Sequence, residues 1–438
     1  MSQHVYMQIG DNDRHTPNGS LDSSRRLLFR AITSEDRIGS DVITQLHKFP
    51  NQVPVTVLDL VDAATSAYAT DLCISRTTAF DDWTRDLTLH LALRDPAPWR
   101  AGAADTFRKL IGFLTGDNWQ EIRLRNAPLQ TQIAGNPSSQ SYQDVSLFSG
   151  GLDSFAGVVE ILHRTGRCVL VGHHAMGSGP TTVSQKNSLD VIRSKHAEDA
   201  APFMNYFVAP PKGFGATGES TTRGRSIIFL ALGILSAVGF GARRLHVPEN
   251  GFISLNVPLA ASRLGSLSTR TTHPYTINLM RKLLEQLGIP LEIMMPYRFA
   301  TKGELLKNTA DQALLRQGIA KTLSCGKPGA NRFNGVSPNG HCGYCVPCLI
   351  RRASIDHAYG ADATSYTFDD LSILKNKKAR DLQVIRFALA RASVRFPTLG
   401  DVLKAGSLPG TPHELSEYLD VHRRGLEELR VFLEKRGL

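Results

Sequence analysis

No run of 18 or more apolar residues occurs anywhere in the 438 residues, so the sequence offers no membrane-spanning helix. The start, Met1-Ser2-Gln3-His4, lacks the charged-then-apolar order of a signal peptide, and a soluble, cytoplasmic protein without membrane attachment is expected. Tryptophan is scarce. Trp83, Trp99 and Trp119 are the full set, all in the first third, where anchoring the core of a small sheet is the plainer use than an aromatic surface for a base or partner. Internal repeats and low-complexity tracts are absent, which removes solenoids and arrays. No stretch interleaves Lys/Arg with aromatics as a single-strand groove does, so nucleic acid is not the expected partner. Cysteine is sparse too: Cys73 and Cys168 stand alone, and the other four crowd between residues 325 and 348. In a cytosolic chain that clustering argues for metal rather than disulfides.

What is present is an ordinary globular composition, 42% hydrophobic and 21% charged, which excludes wholesale disorder. The length exceeds one core and predicts two or three domains. The formal charge of +10 is unevenly placed: residues 1–140 hold 14 Lys/Arg against 16 Asp/Glu, residues 141–360 hold 23 against 13, and residues 361–438 hold 13 against 11. The excess lies in the middle segment, as a site for two anionic substrates would require.

Residues 1–50 show little periodicity, and order is expected to begin near Val53. Val55 to Tyr68 reads as a helix or strand–helix, Asp86 to Leu93 alternates as a half-buried strand does, Ala103 to Leu114 is helical and Gln120 to Leu124 alternates again. Residues 1–140 thus read as an α+β accessory domain ending in a polar linker, 130–140. From Val145 strands alternate with helices, with strands near 145–148, 168–174, 205–209, 245–248 and 291–295, which predicts an α/β fold, a doubly wound and mostly parallel sheet spanning residues 141–360. Residues 361–438 read as a helical domain whose stripe Leu415, Tyr418, Leu419, Leu426, Leu429, Phe432 and Leu433 is a packing face.

Two motifs carry chemistry. Ser149-Gly150-Gly151-Leu152-Asp153-Ser154 joins the strand ending at Phe148 to an apolar helix, so backbone N–H groups and the helix dipole face one point and favour an anion there. It lacks the Gly-Lys-Ser/Thr ending of the usual nucleotide loop. The second is Cys325 followed by His341-Cys342-Gly343-Tyr344-Cys345-Val346-Pro347-Cys348, four thiolates in the number a closed, structural zinc site takes. An iron–sulfur cluster uses similar spacing; Gly343, Pro347 and the helix-like residues after Cys348 favour a zinc knuckle, in which His341 is an alternative ligand.

The Ser-Gly-Gly-Leu-Asp-Ser string resembles the pyrophosphatase (PP) loop of enzymes that split ATP between the α and β phosphates. With the later Cys and Cys-Gly-x-Cys-x-x-Cys, residues 143–360 resemble 7-cyano-7-deazaguanine synthases, the QueC family of queuosine biosynthesis. The resemblance implies the adenine nucleotide alpha-hydrolase fold, zinc on Cys325, Cys342, Cys345 and Cys348, and ATP with Mg²⁺ on Phe148, Ser149, Gly150, Gly151, Leu152, Asp153 and Ser154. Gln185 and Lys186 fall where the family has a polar segment after the second strand, and Arg223, Arg225 and Ser226 open a helix suited to phosphate or carboxylate. Lys302 and Glu304 open another, Lys302 matching a family lysine near the nucleotide. Ser149, Asp153, Ser154 and Lys302 would carry catalysis, with Asp153 an indirect partner of the metal.

The implied activity is adenylation of 7-carboxy-7-deazaguanine and attack by an amine, a C–N ligase reaction in which no protein nucleophile is needed. Departures accompany the match. Residues 328–340 are inserted before the knuckle, and in place of the family's recognition segment stand Pro248-Glu249-Asn250-Gly251, Arg263-Leu264-Gly265 and residues 268–274, giving Glu249, Asn250, Arg270 and His273 as candidate substrate contacts. Domains are also added at both ends. That combination is similar to QueC-like proteins of bacterial anti-phage islands of the Qat type, which implies a protein partner from the same operon as a possible acceptor. Three readings stay open beside it: nitrile synthesis with ammonia, tRNA modification through a persulfide for which Cys168 is the candidate, and a nucleotide-sensing scaffold without turnover.

Overall fold

The computed structural model describes residues 3–9, 13, 24–29, 37–127, 141–175, 179–211, 219, 221, 223–259, 270–328 and 340–438. The expected linker at 130–140, Arg263-Leu264-Gly265, Ser268 and Thr269, and nearly all of the insertion at 328–340 lie outside them.

The first part runs β1 (Gln3–Ile9), β2 (Ser24–Phe29), β3 (Arg37–Ser40), α1 (Val42–Gln45), α2 (Val55–Cys73), β4 (Asp86–Leu93), α3 (Ala104–Thr115) and β5 (Asn118–Asn126). The middle follows as β6 (Asp144–Leu147), α4 (Leu152–Thr165), β7 (Val169–His174), α5 (Pro180–Arg193), β8 (Phe203–Ala209), α6 (Arg225–Gly239), β9 (Arg244–His246), α7 (Gly251–Ser254), α8 (Pro274–Gln286), β10 (Glu292–Met294), α9 (Lys302–Asn308), α10 (Gln312–Ile319) and α11 (Val346–Tyr359). Three helices close the chain: α12 (Asn376–Val394), α13 (Leu399–Leu403) and α14 (Pro412–Glu434).

The ten strands of the described residues join one sheet in the order β10-β9-β6-β7-β8-β3-β2-β1-β4-β5. Every pairing is parallel except β3 with β8, where Gly39 meets Ala209 and Ser40 meets Val208. The fold is α/β with a mostly parallel sheet. Two expectations for the first part need correction. Residues 3–40 contribute three strands, so order does not begin at Val53; and the N-terminal strands pair in parallel, so this part is α/β in character rather than α+β. Parallel strands lie inside a sheet and need no polar alternation, which is why Gln3–Ile9 carries little strand signal.

Alternate residues from Cys168, just before β7, into the strand divide between two cores, as a pleated strand requires. Val169 and Val171 join the cluster of α2, α3, α6 and α8, while Cys168 and Leu170 join that of α4, α5, α9 and α10. Trp99 and Trp119 are core anchors as expected, but Trp83 is partly exposed and its ring is approached by the guanidinium groups of Arg76 and Arg223. At the other end of the chain, Leu426, Leu429, Phe432 and Leu433 of α14 pack with Leu349, Ile350 and Ala353 of α11, so the C-terminal stripe is a packing face.

Candidate functional site

The Ser149–Ser154 loop leaves β6 at its carboxyl end and turns directly into α4. Gly150 has φ +79°, a left-handed conformation that disfavours side chains, and a Cβ there would stand 2.8 Å from the backbone nitrogen of Gln185. Gly151 is the N-cap of α4 and offers no side-chain cap, which leaves the first turn of a 14-residue helix open to a ligand. Ser149 Oγ accepts from Gly151 N at 3.2 Å, and Ser154 Oγ donates to the Gly151 carbonyl at 2.9 Å, so both hydroxyls brace the turn. Behind it, Ser184 Oγ donates to Gly150 O at 2.6 Å and Gln185 Nε2 to Phe148 O at 3.0 Å.

The loop opens on a cavity of about 540 Å³. Ser149, Gly151, Asp153 and Ser154 form one part of its wall; Arg225, Ser226, Thr271 and Thr272 another; Glu249 and Lys302 a third; Leu323, Ser324, Val346 and Pro347, from the cysteine knuckle, close it. These residues come from the carboxyl ends of β6 and β9, the start of α6 and the knuckle, the side of a parallel sheet on which ligands bind.

Electrostatics divide the cavity. Asp153 Oδ1 lies 3.0 Å from Lys302 Nζ, and Asp153 Oδ2 accepts from Asn250 Nδ2 at 2.6 Å. Burial pushes the Asp153 carboxyl up, but the Lys302 charge and hydrogen bonds from Glu249 and Asn250 outweigh it and hold the pKa below the usual carboxylate range. Glu249 moves the other way: burial, then the Asp153 charge, raise its pKa well above normal, so it carries the proton that the two acids share. On the α6 side Arg225 donates from Nε to His173 Nδ1 at 3.2 Å and from Nη2 to His173 O at 3.0 Å. His173 is kept neutral, its pKa lowered to about 3 by burial and by the Arg225 charge. Among the described residues no carboxylate pairs with Arg225, so a guanidinium with neutral partners faces the cavity.

The candidates from the sequence therefore separate. Ser149, Gly151, Leu152, Asp153, Ser154, Arg225, Glu249 and Lys302 line the cavity together. Phe148 points away, its ring buried against Phe203 and its carbonyl taken by Gln185 Nε2. Gln185 is fully buried and braces the loop from behind. Asn250 is committed twice, by Nδ2 to Asp153 and by Oδ1 as the N-cap acceptor of α7, which leaves it to orient Asp153 rather than read a ligand. Arg223 turns to Thr115 O at 3.0 Å and the Trp83 ring, not to the cavity. Arg270 donates to Phe113 O at 2.9 Å and lies over its ring, and His273 caps α8 by accepting from Tyr275 N at 3.2 Å; both lie outside the cavity. Of the segment 268–274 it is Thr271 and Thr272 that line the cavity, not the Arg270 and His273 that the sequence singled out as contacts. Sequence reading missed Glu428: that buried carboxylate of α14 accepts from Thr301 Oγ1, the N-cap of the Lys302 helix, and from Ser354 Oγ at 3.1 Å.

Cys325, Cys342, Cys345 and Cys348 bring their sulfurs within 4.8 Å of one another and could hold a metal ion such as zinc. Two separations, Cys325 to Cys345 and Cys342 to Cys348, are 3.9 Å. A tetrahedron with Zn–S of about 2.3 Å has edges of about 3.8 Å. The amides of Gly326, Lys327, Cys342 and Cys345 approach these sulfurs at 3.3–3.4 Å, donors that suit thiolates. Gly343 has φ +88°, and a Cβ there would strike Phe368 O at 2.3 Å. His341 accepts from Ser324 N at 3.2 Å through Nε2 and stands outside the sulfur cluster. Val346 and Pro347, beside these cysteines, form cavity wall.

Cys168 is fully buried, with its pKa raised well above normal by burial, then by the charge of Asp144, and it does not line the cavity. A persulfide carrier needs an accessible thiolate, so the thiolation reading loses its candidate. No described helix is long and apolar enough to cross a membrane. No family model matches the chain, and no curated protein matches it.

Proposed function

We propose that the protein is an AMP-forming ligase that activates a 7-deazaguanine carboxylate with ATP and passes the acyl group to an amine. One observation carries the reading: an uncapped Ser-Gly-Gly-Leu-Asp-Ser turn opens, with Lys302 and an unpaired Arg225, onto one cavity of ligand size. The strand order β8-β7-β6-β9-β10, with winding reversed beside β6, supports a doubly wound PP-loop domain in which the loop sits at the switch point.

In this reading the first-turn amides of α4, with Ser149 and Ser154, bind the departing pyrophosphate. Lys302 and Arg225 supply the positive charge that a carboxylate needs to approach a triphosphate. The carboxylate oxygen attacks the α phosphorus as the bond to the β-phosphate oxygen breaks, giving acyl-adenylate and pyrophosphate; the amine then attacks the acyl carbon, loses a proton and displaces AMP. Mg²⁺, when bound, neutralises phosphate charge. Asp153, engaged on both oxygens by Lys302 and Asn250, would act on such an ion indirectly. The four cysteines would hold zinc, which would fix the wall at Val346 and Pro347. A partner protein from an anti-phage operon is the proposed acceptor, with ammonia the alternative.

The test is release of pyrophosphate from ATP in the presence of 7-carboxy-7-deazaguanine, with the Asp153→Asn and Ser149→Ala variants beside the wild type. Release that needs the carboxylate is expected; it should fall about a hundredfold or more in Ser149→Ala, the usual scale for losing one oxyanion donor, and fall also in Asp153→Asn, which takes the carboxylate from Lys302. ATP binding without release would establish a nucleotide-sensing scaffold instead.

A further inference from the structure

Helix α12 buries Ala379, Leu382, Ile385 and Ala388 against the C-terminal core and turns its other face to solvent. Along that face Gln383, Phe387, Ala390 and Val394 are exposed, spaced by four, three and four residues. Phe387 is 63% exposed and Val394 89%, and Phe396 just beyond the helix is 77% exposed. Singly exposed apolar residues are ordinary, but Phe387 and Val394 fall on one helix face with Phe396 just beyond, and apolar groups gathered in this way mark interaction sites. The spacing is that of the a and d positions of a heptad, a seam one helix wide. In that register Arg386 and Arg391 occupy the two flanking positions, where coiled coils place the charges that choose a partner.

Both arginines are exposed. Asp381 is taken by Lys327, and Asp401 by Arg395 and Lys404; no described carboxylate pairs with Arg386 or Arg391. A second copy of the chain is a poor occupant, since it would set arginine against arginine across the seam. A lipid surface calls for a broad apolar face, and this one is a single ridge between cations. A helix carrying Asp or Glu beside its own apolar seam satisfies both features at once. Ala390, small and central, lets such a helix approach closely.

We propose that α12 is a docking surface for an acidic amphipathic helix of a different polypeptide. The proposal stands apart from the ligase reading. It has one geometric link to the cavity: Val257, Pro258 and Leu259 line the main cavity and also a small cleft against Ala388, Arg391 and Arg395 of this region. A helix seated on α12 would lie beside that shared wall.

The experiment places p-benzoylphenylalanine at position 387 or 394 of the full chain, in cells that also express the genes flanking its own. After illumination the adducts are mapped by mass spectrometry. Expected is an adduct on one other polypeptide, within a helical segment whose seam is flanked by Asp or Glu, falling about tenfold or more when Arg386→Glu and Arg391→Glu are introduced together. Circular dichroism and the melting curve of that variant should match the wild type, because neither arginine holds the fold. Adducts confined to lipid, nucleic acid or a second copy, adducts indifferent to the charge reversal, or none at either position would overturn the proposal.

Discussion

Replacing Lys302 by methionine isolates the electrostatics of the cavity from its chemistry. Lys302 and Asp153 side chains are each 5% exposed and 3.0 Å apart, so water can compensate neither. At an effective dielectric of about 20, their attraction is about 5.5 kcal/mol, and breaking a buried pair by removing one partner costs about 3–5 kcal/mol. A second route gives a similar figure. With the ammonium gone, Asp153 beside Glu249 escapes its unpaired charge by taking up a proton. At pH 7 that step lies about three units above an ordinary aspartate pKa, which caps the loss at about 4 kcal/mol. The two routes differ in their pH signature, and the second makes a sharp prediction. A carboxylate held below its ordinary pKa contributes stability above its unfolded value and loses it as pH falls through the folded value. In Lys302→Met the folded Asp153 holds a proton that the unfolded chain does not bind above its ordinary pKa, so the variant gains about 1.4 kcal/mol per unit as pH is lowered from 7 toward 4 while the wild-type carboxylate stays ionised, and the deficit shrinks by that amount. Urea titrations of wild type, Lys302→Met, Asp153→Asn and the double variant, at pH 7 and pH 5, measure this. The double variant should recover most of the loss, with a coupling of about 2 kcal/mol or more. A deficit that is independent of pH, or losses that simply add, would refute the pairing. None of these readings depends on ATP.

Three further outcomes follow from local geometry. Gly150→Ala forces a side chain into a left-handed conformation costing about 1–2 kcal/mol and drives its Cβ toward the Gln185 amide; a lower melting temperature and lost binding of inorganic pyrophosphate are expected, and unchanged values for both would sink the cradle assignment. Purified protein should contain zinc in a one-to-one ratio by elemental analysis; Cys345→Ser should lose it, together with the pyrophosphate binding that depends on the wall at Val346 and Pro347, whereas a protein replete in iron would identify a cluster instead. His273 is fully buried, its pKa lowered to about 4 by burial and then by the Arg270 charge. A depressed histidine stabilises the fold above its unfolded pKa and loses that stability as pH falls from about 6.5 toward 4, at about 1.4 kcal/mol per unit. His273→Asn, which can keep the N-cap, should flatten the acid limb of a stability–pH curve by about one proton; an unchanged slope would show that the imidazole does not titrate with unfolding.

What could be read in the sequence was what neighbours in the chain decide together. The strand of Asp86 to Leu93 shows its alternation because Leu87, Leu89, Leu91 and Leu93 serve one core, and the loop and knuckle are legible because their turns and ligands lie a few residues apart. Illegible were roles settled by distant partners. Arg270 and His273 look like site residues until Phe113, on α3, draws both toward the N-terminal part. Asn250 looks free to read a base, yet Asp153 and the first turn of α7 use both ends of its amide. Lys302 is the instructive case. Its residue type and place at a helix start were visible, but its direction is set from α14, where Glu428 accepts from the N-cap Thr301 and Arg424 pairs with Glu304, a contact made across more than a hundred residues. The C-terminal helices thus hold the lysine that faces Asp153. Glu428→Gln should therefore weaken pyrophosphate binding without touching the cavity, because an amide has one acceptor oxygen where the carboxyl accepts from both Thr301 Oγ1 and Ser354 Oγ. Binding indistinguishable from wild type would show that α9 holds its position by the Thr301–Glu304 capping box alone.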